Sequence, residues 1–139
     1  MRYLAIDLGA KRTGLALGDD VTGLVQPLRV LEGMGQGDRL IEAVAKEVEG
    51  YGADALVVGL PLNMDGTEGG AAKSARQFAE RAAARTGVEA HLQDERLTSA
   101  AADWDLAGSG LTHGGKKKVR DAMAAAEILR DFLRERGAG

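Results

Sequence analysis

Hydrophobic and polar positions follow two different periods along this chain, and each period marks an element. Two short apolar runs, Tyr3-Leu4-Ala5-Ile6 and Leu15-Ala16-Leu17, flank a segment with Gly9 and Gly14 at its edges and Lys11, Arg12 and Thr13 between, the pattern of a β-hairpin. Residues 24–31 (LVQPLRVL) predict a third strand; Pro27 lacks an amide donor and assigns it to a sheet edge or a bulge. Gly33 to Gly37 is a loop, and Asp38 is placed to cap a helix. On it Leu40, Ile41, Val44, Ala45 and Val48 recur at helical spacing, up to Gly50 and Gly52. The continuous apolar run ALVVGL at 55–60 is that of a strand covered on both faces.

A polar, glycine-rich loop (PLNMDGTEGG, 61–70) follows, then a helix over about 71–86 with Ala75, Phe78, Ala79, Ala82 and Ala83 inward and Gly87 as its stop. Residues 88–93 predict another strand, ending in Asp94-Glu95-Arg96. Thr98 or Ser99 caps a short helix to about Ala107, anchored by Trp104. The glycine-rich loop 108–115 leads into a last helix over about 116–136. The order βββ-α-β-α-β-α-α implies an α/β fold with a mixed five-stranded sheet, its later strands parallel and helices on both faces, in a single domain over 1–139. Ligands in such sheets collect at the carboxyl ends of strands, which puts Asp7, the Asn63/Asp65 loop and Asp94/Glu95 on one rim.

Composition narrows the chemistry. Apolar residues make up 45 % but aromatics only 4 %, so the core is built of Ala, Leu, Val and Ile. Cysteine is absent, which excludes disulfides and thiolate metal sites. No apolar run reaches membrane-spanning length and the N-terminus is strand-like, so no membrane partner and a cytoplasmic location are expected. The net charge of −3 does not advertise a nucleic-acid binder. It is unevenly spread: from Gly114 onward seven Lys/Arg face four Asp/Glu (+3), and the remainder carries eleven against seventeen (−6).

Asp7 closes a core strand, where a carboxylate is unfavourable unless charge or hydrogen bonds compensate it. It either opens the turn or holds a metal or phosphate. On the last helix, at about 100° per residue from Val119, residues Val119, Ala122, Met123, Ala126, Leu129 and Leu133 lie within about 60° of one direction. Ile128 and Phe132 fall near 180° and 220°, with Asp121 between them at about 200°, the one charged residue on the flank carried toward the sheet. A first-turn position also favours its charge through the helix dipole, with or without a function. Asp7, Asp94/Glu95 and Asp121 together, with no histidine or cysteine at ligand spacing, suit all-oxygen ligation of Mg²⁺ or Mn²⁺. Two such ions about 3.5–4 Å apart serve phosphodiester cleavage. Strand alternation puts Asp94 and Glu95 on opposite faces, so only one is a primary ligand unless the strand has already ended. Lys11, Arg12, Arg96, Lys116, Lys117, Lys118 and Arg120 are donors for a polyanion, although three lysines in a row also suit a solvated helix start. His91 and His113 read as structural or exposed.

Four segments in this order, IDLGAKRTGLAL (6–17), VGLPLNMDGTEG (58–69), DERLTS (94–99) and KKKVRDAMAAAEIL (116–129), resemble the YqgF/RuvX family over nearly the whole chain. The resemblance implies an RNase H-like fold and a nuclease that processes the 5′ end of pre-16S ribosomal RNA, or by analogy one that resolves Holliday junctions. It implies catalytic, metal-holding roles for Asp7, Asp121 and an acid of DERLTS, with Glu95 favoured and Asp94 the alternate. Asn63 and the basic residues named above are the expected nucleic-acid contacts. The expected partner is precursor rRNA, with branched or single-stranded DNA as the alternative, bound by a monomer or homodimer. A RuvC-type resolvase looks similar but carries a second carboxylate three residues along its last helix, where this chain has Ala124. Two further readings are a phosphate loop like that of actin-like sugar kinases in DLGAKRTG, and a non-catalytic RNA-binding or assembly factor.

Overall fold

The computed structural model describes residues 1–95 and 113–136. Five strands, β1 (Arg2–Leu8), β2 (Arg12–Asp19), β3 (Val25–Glu32), β4 (Ala55–Leu60) and β5 (Glu89–Asp94), form one sheet in the order β3-β2-β1-β4-β5. β1, β2 and β3 are antiparallel neighbours, whereas β4 and β5 run parallel to β1. Among the described residues three helices, α1 (Asp38–Tyr51), α2 (Gly70–Thr86) and α3 (His113–Glu135), cover the two faces.

Alternation along each strand splits the apolar residues between two cores. Leu4, Ile6, Leu15, Leu56 and Val58 pack against α1 and α2 through Leu40, Val44, Phe78 and Ala82. Tyr3, Ala5, Ala16, Ala55 and Val57 pack against α3 through Ala125, Ala126, Ile128, Leu129, Phe132 and Leu133. The Phe132 ring meets Tyr3 edge-on at 5.4 Å between centroids and lies 5.1 Å from His91, so His91 packs as a structural residue. Each large α3 side chain buried this way contributes about 1.5–3 kcal/mol.

β3 takes the sheet edge, and its pairing with β2 slips where Leu15 faces Arg29 but Ala16 faces Pro27, so the proline sits beside a bulge. Both helix stops are real: Gly52 and Gly87 adopt left-handed conformations (φ 64° and 75°) that glycine takes without a Cβ clash.

Several expectations are corrected. β2 begins at Arg12, so Arg12 and Thr13 are strand residues and the turn shrinks to residues 9–11. Asp38 is the first residue of α1 rather than its cap; Gly37 holds that place, and Asp38 pairs instead with Arg81 of α2. In α2 the inward set includes Ala72, and Ala83 is only half-buried. α3 starts at His113, because the helix absorbs Gly114 and Gly115; His113 is therefore helical rather than in a loop. Asp121 is then the ninth helical residue, beyond the first turn to which the dipole effect is confined. The predicted short helix with Trp104 lies outside the described residues.

Candidate active site

The α3 face of the sheet carries Tyr3 and Ala5 on β1, Ala55 and Val57 on β4, and His91 and Gln93 on β5. Two residues further along each strand come Asp7, Gly59 and Glu95. Alternation thus delivers both acids to the same face, at the carboxyl ends of strands flanking β4. The Glu95 amide continues the β4–β5 ladder by donating to the Leu60 carbonyl at 3.3 Å. Asp94 takes the opposite parity, on the side where Ala90 and Leu92 pack against the α1/α2 core. Between Asp7 and Glu95 sits Gly59: a Cβ there would lie 2.7 Å from Glu95 Oε2 and 2.7 Å from Ile128 Cδ1. The absent side chain is the space the Glu95 carboxyl fills.

Asp121 reaches the site from above. The buried face of α3 is Ala125, Ile128, Leu129 and Phe132, and Asp121 extends the same face by one turn. It comes close to the sheet because β2 presents Gly14, Ala16 and Gly18 to α3; a Cβ on Gly14 would stand 1.9 Å from the Asp121 carbonyl oxygen. Arg12 continues this parity outward, and its Nε donates to Asp121 Oδ2 at 2.6 Å, both side chains being about three-quarters buried (29 % and 26 % exposed). Gly14 and Gly59 were not singled out as functional from sequence. Their signal was available: a glycine inside an otherwise apolar strand marks a close approach.

Burial sets the electrostatics. Loss of hydration, the neighbouring Asp7 charge, the hydrogen bond to Asp7 and the charge of Asp94 push Glu95 up to about 9. Asp7 is also raised, mainly by burial and further by the Asp121 charge, while the hydrogen bond from Glu95 opposes the rise. At neutral pH, Glu95 therefore keeps its proton and donates it to the Asp7 carboxylate. Two carboxyl groups that must share a proton mark a place where a cation would be stabilised, and the donors are all hard oxygens, as Mg²⁺ or Mn²⁺ require. The residues present thus fit such an ion through Asp7 and Glu95. Among the described residues no three acidic or imidazole groups stand together as a ready metal cluster; Asp121 is engaged by Arg12.

Lys11 is exposed in the β1–β2 turn, whose Gly9 carbonyl accepts from Gln36 Nε2 at 2.9 Å. Asn63 is exposed in the loop after β4, and its amide donates to Thr67 Oγ1, itself held by Asp65. Arg120 is half-buried and Ala124 buried in α3. Arg96 and the side chains of Lys116, Lys117 and Lys118 lie outside the described residues.

The chain is similar in fold to Thermus thermophilus RuvC, with a TM-score of 0.58 and 19 % identity over 99 % of this chain and 98 % of that one. For the same protein in complex with a Holliday junction substrate the TM-score is 0.62, at 18 % identity. The sheet order and helix placement accordingly define an RNase H-like protein. Within that class the chain belongs to the RuvX family, whose model, described as "Holliday junction resolvase", matches residues 1–135. Among relatives, an Anaeromyxobacter protein is 43 % identical over 138 residues, 99 % of this chain and all of that one. An Azotobacter vinelandii protein is 40 % identical, covering 98 % and 95 % of the two chains. Both carry the name "Putative pre-16S rRNA nuclease".

Proposed function

We propose that this protein is a divalent-cation-dependent nuclease that hydrolyses RNA phosphodiester bonds, with the 5′ region of precursor 16S rRNA as its substrate. The observation that carries this reading is the buried Asp7–Glu95 pair sharing one proton, with the Asp121 charge acting on Asp7. The names of relatives about 40 % identical over nearly the full chain support the substrate. Asp7, Glu95 and Asp121 would hold Mg²⁺ or Mn²⁺, in one or two sites, with Glu95 favoured over Asp94 because its carboxyl stands over Gly59 and hydrogen-bonds Asp7. Bound there, the ion supplies Lewis acidity at a phosphoryl oxygen and lowers the pKa of an attacking water.

The chain's own groups do the rest. Glu95 would hold the ion as a second carboxylate beside Asp7, without the Oε proton that it keeps in the metal-free protein. The Gly59 gap keeps that carboxyl against the sheet, and α3 shields the site from bulk water on one side. Lys11, Asn63 and Arg120, together with Arg96 and the lysines at 116–118, would serve as phosphate contacts, which position a backbone without reading its sequence. Ribosomal RNA processing would place the protein in the cytoplasm; among the described residues no helix is long and apolar enough to cross a membrane. The test is cleavage of a precursor rRNA with Mg²⁺ or Mn²⁺. Wild-type protein should cut, and an Asp7→Asn plus Asp121→Asn variant should lose at least about a thousandfold; undiminished cutting by that variant would refute the assignment.

The family description favours a second reading, cleavage of four-way DNA junctions by the same site. Resolution needs two symmetric cuts and hence a dimer. Paired nicks in a synthetic junction, from a protein dimeric in solution, would establish it.

A further inference from the structure

The third acid of the site is neutralised differently from the other two. Asp7 and Glu95 share a proton, whereas Asp121 receives the Arg12 guanidinium across a separation of 109 residues. The contact is short (2.6 Å) and largely sheltered from water, so it is not an ordinary surface ion pair. It is also built in from both sides. Arg12 is the outermost of the β2 residues facing α3, and the small residues behind it, Gly14, Ala16 and Gly18, are what let the helix bring Asp121 down to it. A carboxylate oxygen occupied by a guanidinium hydrogen bond is not available to a cation until that bond is broken.

We propose that Arg12 is a built-in counter-ion that competes with the divalent cation for Asp121, so that loading the site displaces the guanidinium from the carboxylate. The inference rests on the metal-dependent reading above and deepens it. Arg12 is on this account a positioning residue: it holds Asp121 in place, balances its charge in the metal-free protein and sets the cation concentration at which the site fills. Once displaced, it becomes one more cation on the rim where the phosphate backbone is expected.

The experiment is a Mn²⁺ titration of the metal-free protein without nucleic acid, following free Mn²⁺ by electron paramagnetic resonance. Arg12→Gln should bind Mn²⁺ about ten- to hundredfold more tightly than wild type, the range expected for removing a charge-assisted bond to the ligand. Arg12→Lys, which keeps the charge, should stay within a few-fold of wild type. Lys11→Gln removes a neighbouring positive charge that is exposed, and should change affinity less than about twofold. Adding Asp121→Asn to Arg12→Gln should erase the gain, since the competition is for that carboxylate.

A merely structural arginine would, on removal, loosen the site and weaken binding. Equal or weaker Mn²⁺ binding by Arg12→Gln, or an equal gain from Lys11→Gln, overturns the competition. If wild type binds Mn²⁺ and Asp7→Asn abolishes it while Arg12→Gln changes nothing, the metal reading stands and this inference alone falls. If neither wild type nor Arg12→Gln binds Mn²⁺, both fall.

Discussion

The proton on Glu95 is the most consequential single atom of the site. It is retained because burial and the Asp7 charge both oppose ionisation, and a divalent cation bound as proposed would have to expel it. Cation binding should therefore release close to one proton per site below about pH 9, and affinity should climb as pH rises toward that value. Calorimetric titrations in two buffers of different ionisation enthalpy count the protons directly; identical heats in both would refute the protonated state. Gly59 is the companion prediction. Gly59→Ala places a methyl 2.7 Å from both Glu95 Oε2 and Ile128 Cδ1, so it should cost about 1–3 kcal/mol in urea unfolding and weaken Mn²⁺ binding as well.

Helix α3 links core and chemistry, because one face carries both. Leu129 and Ile128 are fully buried against the sheet, and about two turns earlier the same face carries Asp121. Leu129→Ala should lower unfolding stability by about 2–5 kcal/mol, measured by chemical denaturation. Gly14→Ala tests how closely the helix lies on β2. Its Cβ would collide with backbone, the Asp121 carbonyl oxygen, rather than with a side chain that can turn away. It should therefore displace the N-terminal half of α3 and break the Arg12–Asp121 pair while leaving the α1/α2 core intact. Faster amide exchange around 119–125, with unchanged protection in β4, is the expected signature. The helix also shows what periodicity could and could not supply. The wheel placed Asp121 between Ile128 and Phe132, and those two proved to be buried against the sheet like Leu129 and Leu133, on one continuous face centred near Ala125. The starting point was misjudged because Gly114 and Gly115 normally break helices, and here they lie within one.

For the molecule as a whole, the proton-sharing pair makes stability depend on pH. The folded Glu95 titrates near 9 against an ordinary value near 4.5, so the folded protein keeps a proton that the unfolded chain releases between those limits. The stabilisation is complete below about pH 4.5 and is lost as pH rises toward about 9, at up to about 1.4 kcal/mol per pH unit, with Asp7 adding in the same direction at the acid end. Melting temperatures in a chelator should fall between pH 6 and 8.5, and Glu95→Gln should flatten that decline; a flat wild-type profile would contradict the buried pair. At this scale the sequence by itself determined the order of the described elements, an edge or bulge for β3, helices on both faces of the sheet and the rim where the acids collect. Those follow from period, parity and the missing amide of Pro27, all local properties. It also separated Asp94 from Glu95 by face but did not say which face held Asp7, because parity is only relative until strands are paired. That choice belongs to tertiary structure: the β1–β4–β5 ladder set Glu95 beside Asp7, and glycine gaps at 14 and 59 let helix and carboxyl approach. Tertiary structure alone also brought Arg12, an expected phosphate contact, to Asp121, since a guanidinium binds either anion and only distance decides which one it meets.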